Sequence, residues 1–378
     1  MRPRRVLQLI TELHPAGAER VVYELATRLS PERWQVQVAG LRSPGGDEGA
    51  VARALRAAGI EVHPLGFRHK ADLRAAARLL RLVRRWRPHL VHAHLFHANL
   101  AARLLALLGA QRTVSTVHVV ERRRLPQRIL LERLGARLDD ATVCVSEAVA
   151  RYALSSLGVR PERLRVVPNG VDLSAYAALP DREAARSALR LDPACEWVGC
   201  VGRLDRQKGQ DLLLEAFARF RARRPRARLL LCGAGPEEGA LRAQARRLGI
   251  EERVRFLGHR DDVPLVLAAL DVFCLPSRWE GFGLALVEAL AAGRACVASA
   301  VDSLPEVLGG AGRIVSPEDP RALAAALEAL LADPRERAAL GQRARARARR
   351  YSVERMVAGY ELLYADLFGD AVDRSPPA

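Results

Sequence analysis

Short apolar runs alternate with amphipathic stretches along most of the chain. The runs cover residues 6–10, 34–41, 60–65, 90–94, 112–118, 141–146 and 164–168, then 197–202, 227–233, 254–258, 271–276, 294–299 and 313–316. Each is short and bounded by polar or turn residues, which predicts buried strands. Segments between them, such as 20–29, 49–58, 72–86 and 99–108, carry apolar residues at helical spacing. Strand–helix alternation of this kind predicts an α/β chain whose parallel sheets have helices on both faces and bind ligands at the carboxyl ends of their strands. The alternation breaks once. Pro168-Asn169-Gly170-Val171-Asp172 is a turn cluster followed by irregular sequence to about Arg182. Two domains are therefore expected, 1–168 and 185–350, with a linker at 168–185 and a last helix at 353–368.

The richest stretch for chemistry is 277–293. A strand-like run ends at Pro276, Gly281 and Gly283 form a bend, and a strong helix former over 284–292 stops at Gly293, a typical residue for ending a helix. The glycines leave the first amides of that helix open, a ready site for phosphate or pyrophosphate. Glu280 stands before the helix and Glu288 about two turns later, ~12 Å along the axis at 1.5 Å per residue. Carboxylates so far apart cannot share a proton, but they suit the two ends of a long polyhydroxylated ligand whose phosphates lie between. The plainer alternative is a strand–turn–helix with two solvated glutamates.

Other strand ends add to this. Gly202-Arg203-Leu204-Asp205-Arg206-Gln207-Lys208-Gly209 places two cations beside a glycine that permits close backbone approach. Diphosphate is their natural partner, with arginine as a planar fork and lysine as a point charge; a solvated basic turn is the alternative. Lys208 is one of two lysines among 60 basic residues. The Gly233-Ala234-Gly235-Pro236 turn has a backbone role. Thr11 to Arg20 forms the first strand-end loop, where Gly17 offers unhindered backbone. His92, His94 and His97 have a spacing that raises the question of a metal, but His97 falls beyond the strand and no nearby Cys or acid completes a zinc set.

Glu280 and Glu288, seven residues between them, within Glu-Gly-Phe-Gly-Leu…Glu-Ala-Leu-Ala-Ala-Gly, resemble the E-x7-E signature of retaining GT-B glycosyltransferases of group 1, family 4. The resemblance is fullest over 197–310. It implies two Rossmann-like domains with an interdomain cleft, the helix 353–368 packing back on the N-terminal one. It implies a hexosyltransferase-type enzyme that uses a nucleotide-sugar donor and no cofactor or metal; no Asp-x-Asp occurs in the chain. By the same resemblance Arg203 and Lys208 hold the diphosphate, with Phe282, Gly283 and Leu284 beside it. Glu288 takes the ribose and Glu280 the donor sugar. Gly17 lies under the phosphates, with Ala16 in place of the family's first glycine, and His118 of Ser-Thr-Val-His lies by the sugar. Glu280, Arg203, Lys208 and His118 are thus the expected catalytic set, and the leaving phosphate is the expected base. Val301 to Glu306 departs from the family's glycine-rich turn, which leaves the sugar open.

Charge adds a statement about the acceptor. Of the net +17, residues 1–168 hold 29 Lys+Arg against 14 Asp+Glu, whereas 169–378 hold 31 against 29. Two dense patches, Arg78 to Arg87 and Arg122 to Leu131, mix arginines with Leu, Ile or Trp as interfacial segments do. They predict a peripheral enzyme on the cytoplasmic membrane face with a lipid-linked, glycan or otherwise anionic acceptor; the alternative is a solvated basic surface. A nucleic-acid-binding protein is a further reading of the basic charge, but 5% aromatics and no matching motif oppose it. A non-hydrolysing nucleotide-sugar epimerase and an inactive relative share the expected fold. The six cysteines, scattered and without Cys-x-x-Cys, read as buried hydrophobes in a reducing cytosol. The apolar run at 6–10 is too short for a signal peptide.

Overall fold

Thirteen strands form among the described residues, and all of them pair in parallel. A computed structural model describes residues 2–69, 72–109, 111–120 and 126–370. β1 (Arg4–Ile10), β2 (Trp34–Gly40), β3 (Glu61–Pro64), β4 (Leu90–His94), β5 (Arg112–Val117), β6 (Ala141–Cys144) and β7 (Leu164–Val166) make one sheet in the order β3-β2-β1-β4-β5-β6-β7. β8 (Glu196–Val201), β9 (Ala227–Cys232), β10 (Val254–Gly258), β11 (Val272–Leu275), β12 (Ala295–Ser299) and β13 (Gly312–Val315) make the second, in the order β10-β9-β8-β11-β12-β13. The apolar runs are continuous rather than alternating because both faces of such sheets are covered by helices.

Contacts divide the chain into two units, 1–170 with 353–378, and 171–352. The irregular stretch after Val171 belongs by its contacts to the second unit: Tyr176 is buried, and Arg182 and Arg186 both pair with Asp271 beside β11. The last helix, Val353–Phe368, belongs to the first unit. Its Met356, Tyr360, Leu363 and Tyr364 pack with Val6, Leu25, Trp34, Leu90, Val114 and Val143 in one core cluster. All six cysteines are free and buried, and burial pushes the Cys200 thiol up to about 12.

Each sheet reverses its strand order once, between β1 and β4 and between β8 and β11. At such a switch point the two adjoining strands send their following helices to opposite faces. The loops part, and a crevice opens at the carboxyl ends. In the second unit those two loops are 202–209 and 276–283, the stretches whose composition pointed to chemistry.

Glycines let these loops approach. Gly209 has φ +68°, and a Cβ there would lie 2.2 Å from the Pro276 carbonyl oxygen. Gly209→Ala should therefore destabilise the second unit by at least the ~1–2 kcal/mol of a left-handed non-glycine residue. Gly239→Ala, in a helix with nothing within 4 Å of the added Cβ, should be neutral or gain up to ~1 kcal/mol. Urea midpoints of the two variants check this, and equal midpoints would contradict the close approach.

Candidate functional site

The centre of the second unit's site is an ion pair across the switch point. Lys208, from the loop after β8, donates through Nζ to Glu280 Oε1, from the loop after β11, at 2.5 Å. Their side chains are 19% and 6% exposed. Burial opposes the lysine's charge, but the Glu280 carboxylate more than offsets it and holds the ammonium above its ordinary value. Ser277 Oγ donates to the same Oε1 at 3.0 Å, and the Glu280 amide donates to Asp302 at 2.9 Å. Both side-chain bonds of Glu280 end on Oε1, so Oε2 remains an acceptor with no hydrogen bond to a described residue.

Arg203, at the start of the same loop as Lys208, has a 67% exposed side chain and pairs with Asp205. Asp205 also accepts the Lys208 amide at 3.2 Å, so one carboxylate shapes the turn and holds the arginine at its edge. Behind them, the two loops are bolted together. Arg278 makes a double contact with Asp211 at 2.7 and 2.8 Å and a third with Glu318, and its amide donates to the Gln207 carbonyl. Gln207 Nε2 returns a bond to the Trp279 carbonyl at 3.1 Å. The Gly233-Ala234-Gly235 turn lies against this loop so closely that a Cβ at Gly233 would meet the Gly202 carbonyl oxygen at 2.0 Å.

The helix Leu284–Ala291 begins at Gly283, which has φ 86° and supplies no side-chain cap. The amides of Leu286 and Val287 turn back to the Gly283 carbonyl, while those of Leu284 and Ala285 have no acceptor among the described residues. Two N–H groups are thus left at the positive end of the helix, a few residues from Glu280. Glu288 sits on the same helix, 6% exposed, near enough to Cys232 at the end of β9 to help raise that thiol, behind the larger effect of burial. The Phe282 side chain turns inward and meets Tyr351 edge-on at 5.4 Å. Only its backbone remains for a ligand.

The first unit holds the other two expected residues, Gly17 and His118. Gly17 is exposed and opens the helix Gly17–Arg28, again without a side-chain cap. Two residues on, Glu19 is 6% exposed, and burial raises its carboxyl to about 7. His118 follows β5 and ends a chain of polar groups threaded through the core. Its Nε2 lies 3.0 Å from His94 Nδ1, and His94 Nε2 lies 2.8 Å from Gln8 Oε1. Gln8 Nε2 donates to Tyr364 Oη, which lies 2.5 Å from His92 Nδ1, and His92 Nε2 reaches Thr116 Oγ1 at 2.7 Å. Desolvation lowers all three histidines, so the rings are neutral. Gln8 Oε1 can only accept, so His94 carries its proton on Nε2 and offers Nδ1 as an acceptor. His118 must then donate from Nε2, which leaves its Nδ1 bare.

These bonds also settle what the clustered histidines do. His92 and His94 share a strand face, but the His92 nitrogens point to the hydroxyls of Tyr364 and Thr116, and those of His94 to the Gln8 amide and His118. Among the described residues no group of three His, Cys, Asp or Glu is placed to hold a metal. Sequence reasoning missed Ser277, Asp302, Arg278, Asp211 and Gln207. Only Arg278 and Ser277 carried a signal, by adjoining Glu280. The first arginine-rich patch lies on the helix Leu73–Trp86, whose Leu79, Leu80, Leu82, Val83 and Trp86 pack on the core and leave Arg81, Arg84 and Arg85 exposed. Of the second patch, Arg122, Arg123 and Arg124 lie outside the described residues. Its remainder, on the helix Pro126–Gly135, exposes Leu130 and Leu131.

Residues 181–347 match the family described as Glycosyl transferases group 1, and residues 15–175 match Glycosyltransferase Family 4. Glycogen synthase of Mycobacterium tuberculosis (strain H37Rv) is 30% identical over 379 residues, covering 90% of this chain and 89% of that protein. Lipopolysaccharide core biosynthesis mannosyltransferase LpsB of Rhizobium meliloti is 32% identical over 212 residues, covering 53% of this chain and 60%, under two thirds, of that protein. Among solved structures, Anabaena Alr3699/HepE in complex with UDP and glucose superposes with a TM-score of 0.86 at 24% identity, over 96% of this chain and all of the other. Two Rossmann-like α/β units with these neighbours are the GT-B fold, and neither the epimerase nor the nucleic-acid reading is favoured.

The buried Glu19 predicts a pH effect. Its folded pKa, about 7, lies above the ordinary 4.5, so the unfolded chain loses this proton first as pH rises. The contribution to stability is full below 4.5 and is lost between 4.5 and about 7. Glu19→Gln should remove that loss, gaining up to about 3 kcal/mol relative to the parent near pH 8 and nothing near pH 4. Urea denaturation at the two pH values tests it; a gain that does not depend on pH would refute the burial argument.

Proposed function

We propose that this chain, which belongs to the group 1 glycosyltransferases, transfers a sugar from a nucleoside-diphosphate sugar with retention of configuration and without a metal ion. One observation carries the reading. Lys208 and Glu280 meet across the strand-order reversal of the second sheet, in front of a helix start with two unengaged amides. The ion pair sets a cation and a carboxylate one hydrogen bond apart, which suits a ligand that is phosphate on one side and polyhydroxylated on the other. The HepE complex with UDP and glucose, on a similar fold, supports this choice of donor.

The roles follow from where charge develops. As the glycosidic C–O bond breaks, its electron pair passes to the diphosphate oxygen. Lys208 and the Leu284 and Ala285 amides oppose that growing charge without reorganising, and Arg203 joins them. To do so Arg203 leaves Asp205, whose buried carboxylate keeps its bond from the Lys208 amide. Glu280 Oε2 accepts from hydroxyls of the donor sugar while Oε1 stays with Lys208 and Ser277. Glu288 accepts from the ribose. Gly17 and His118 take their roles, beside the phosphates and the sugar, from the family pattern. The acceptor hydroxyl attacks the anomeric carbon on the face the leaving group departs from, and its proton passes to a leaving phosphate oxygen.

We assign the acceptor to the lipid-linked or otherwise anionic class, and the enzyme to the inner face of the cytoplasmic membrane as a peripheral protein. The excess of arginine in residues 1–168 and the exposed Leu130, Leu131 and Leu134 support this. No helix of the described residues is long and apolar enough to cross a membrane.

Substitution of the two glutamates should separate their tasks. Glu288→Gln should raise donor KM first, whereas Glu280→Gln should lower kcat, since it touches the group in transit. Each loses a contact to an ionised group worth ~1.5–3 kcal/mol, about 10- to 150-fold. Identical kinetic signatures would defeat the division.

The donor class is tested with a panel of UDP, GDP and ADP sugars in thermal shift, followed by nucleotide release with acceptor present. One nucleotide should raise Tm in a concentration-dependent way, and its sugar should be transferred at the same rate in EDTA. Loss of turnover in EDTA that magnesium or manganese restores would overturn the metal-independent mechanism.

A further inference from the structure

The first unit carries a large apolar groove lined by none of the residues assigned to the transfer. It has a volume of about 880 Å³, and its walls come from the helix Leu73–Trp86, the helix Phe96–Ala106 and Leu131. Phe67, Leu80, Phe96 and Leu100 are half-buried along it. Leu104, Leu108 and Leu131 are 56%, 71% and 44% exposed, and Leu107 beside them is 63% exposed. Single exposed leucines need no explanation, but a contiguous set lining a groove marks a surface that something covers.

What covers it is indicated by the next cavity. A second concavity of about 930 Å³ shares Arg42, Phe67, Arg68 and His69 with the groove and adds Arg74, Arg78 and Asp72. The Asp72 carboxylate is engaged, accepting from the Ala75 amide at 3.0 Å and the Arg68 amide at 3.2 Å. Arg42 reaches Glu12 at 3.3 Å, and Arg78 donates to the Leu65 and Gly66 carbonyls. The guanidinium groups of Arg68 and Arg74 make no ion pair with a described residue. An apolar trough thus runs into an arginine-lined basin through four shared residues. The molecule that complements both has a hydrocarbon chain at one end and an anion at the other.

We propose that this composite site docks an anionic lipid at the membrane surface, its chain along Leu104, Leu108 and Leu131 and its phosphate on Arg68 and Arg74. It rests on the membrane-surface reading above and gives it a location; it does not depend on the identity of the sugar donor. The site differs from a diffuse basic surface in requiring both halves. Arginines outside it, Arg84 and Arg85 on the same helix, add only long-range attraction, which salt screens.

The test uses the full chain and vesicles of phosphatidylcholine alone or mixed equally with phosphatidylglycerol. Co-sedimentation should require the anionic lipid. Arg68→Ser with Arg74→Ser should weaken it about thirtyfold, from two basic contacts. Leu104→Gln with Leu108→Gln, which changes no charge, should weaken it at least as much. Arg84→Ser with Arg85→Ser should lose far less. All six positions are exposed, and unchanged melting curves would verify the fold. Equal binding to neutral vesicles, or equal loss in the Arg84/Arg85 control, would overturn the site. So would full binding by the leucine variant, or a parent dimer in sizing chromatography that the leucine variant dissolves, which would give the groove to a second copy. Thermal shift by the nucleotide sugar should persist in every variant. Its absence in the parent would sink the donor reading and leave the lipid site standing.

Discussion

The second unit depends on a buried charge pair that cannot be half present. Lys208 and Glu280 come from loops 72 residues apart in sequence. Either one alone would leave an uncompensated charge in the crevice, a penalty of several kcal/mol in an apolar setting. The pair therefore requires both loops to hold their places. Arg278 with Asp211 and Glu318, and Gln207 with the Trp279 carbonyl, supply that from behind. Gly209 and Gly233 make it sterically possible, since backbone carbonyls occupy the space where their side chains would stand. These contacts fix Lys208 and Glu280 without a ligand, the preorganisation on which the proposed stabilisation of a leaving group relies.

The first unit meets a different constraint, the satisfaction of buried polar groups. Thr116, His92, Tyr364, Gln8 and His94 are fully or almost fully buried, and each has a partner only because the next is in place. Such a chain is stable when complete and costly when broken. It ends at His118, so the proton arrangement of that ring is dictated from the core. Tyr364, one of its members, comes from the last helix. The terminal segment is therefore part of the chemical environment of His118 as well as a cover for the core cluster.

Surface charge and surface hydrophobicity turn out to be distributed differently from each other. In the helix Leu73–Trp86 the leucines after Leu73 are used against the core and Arg81, Arg84 and Arg85 are left outside, so the outer face of that segment is mainly basic. Six exposed leucines, Leu104, Leu107, Leu108, Leu130, Leu131 and Leu134, lie instead at the end of the helix Phe96–Ala106 and on Pro126–Gly135. The two properties meet in the groove and basin that share Phe67 and Arg68.

The strands, their parallel pairing class and the two-part organisation were legible in the sequence, because a strand buried on both faces must be an unbroken apolar run and a crossover must be a helix. Arg203, Lys208, Glu280 and the glycine bend could be singled out there as candidates, because charges and glycines at the carboxyl ends of parallel strands lie where such sheets bind ligands. Tertiary structure alone decided that Lys208 and Glu280 bind each other, that Phe282 turns to Tyr351, and that His92 and His94 are links in a polar chain. It also gave residues 171–185 to the second unit, through the ion pairs of Arg182 and Arg186 with Asp271. The physical reason is one of range. Hydrophobic period and turn chemistry act between near neighbours and are written locally. The partner of a buried charge or hydroxyl is set by which strands become adjacent, and only the assembled sheet determines that.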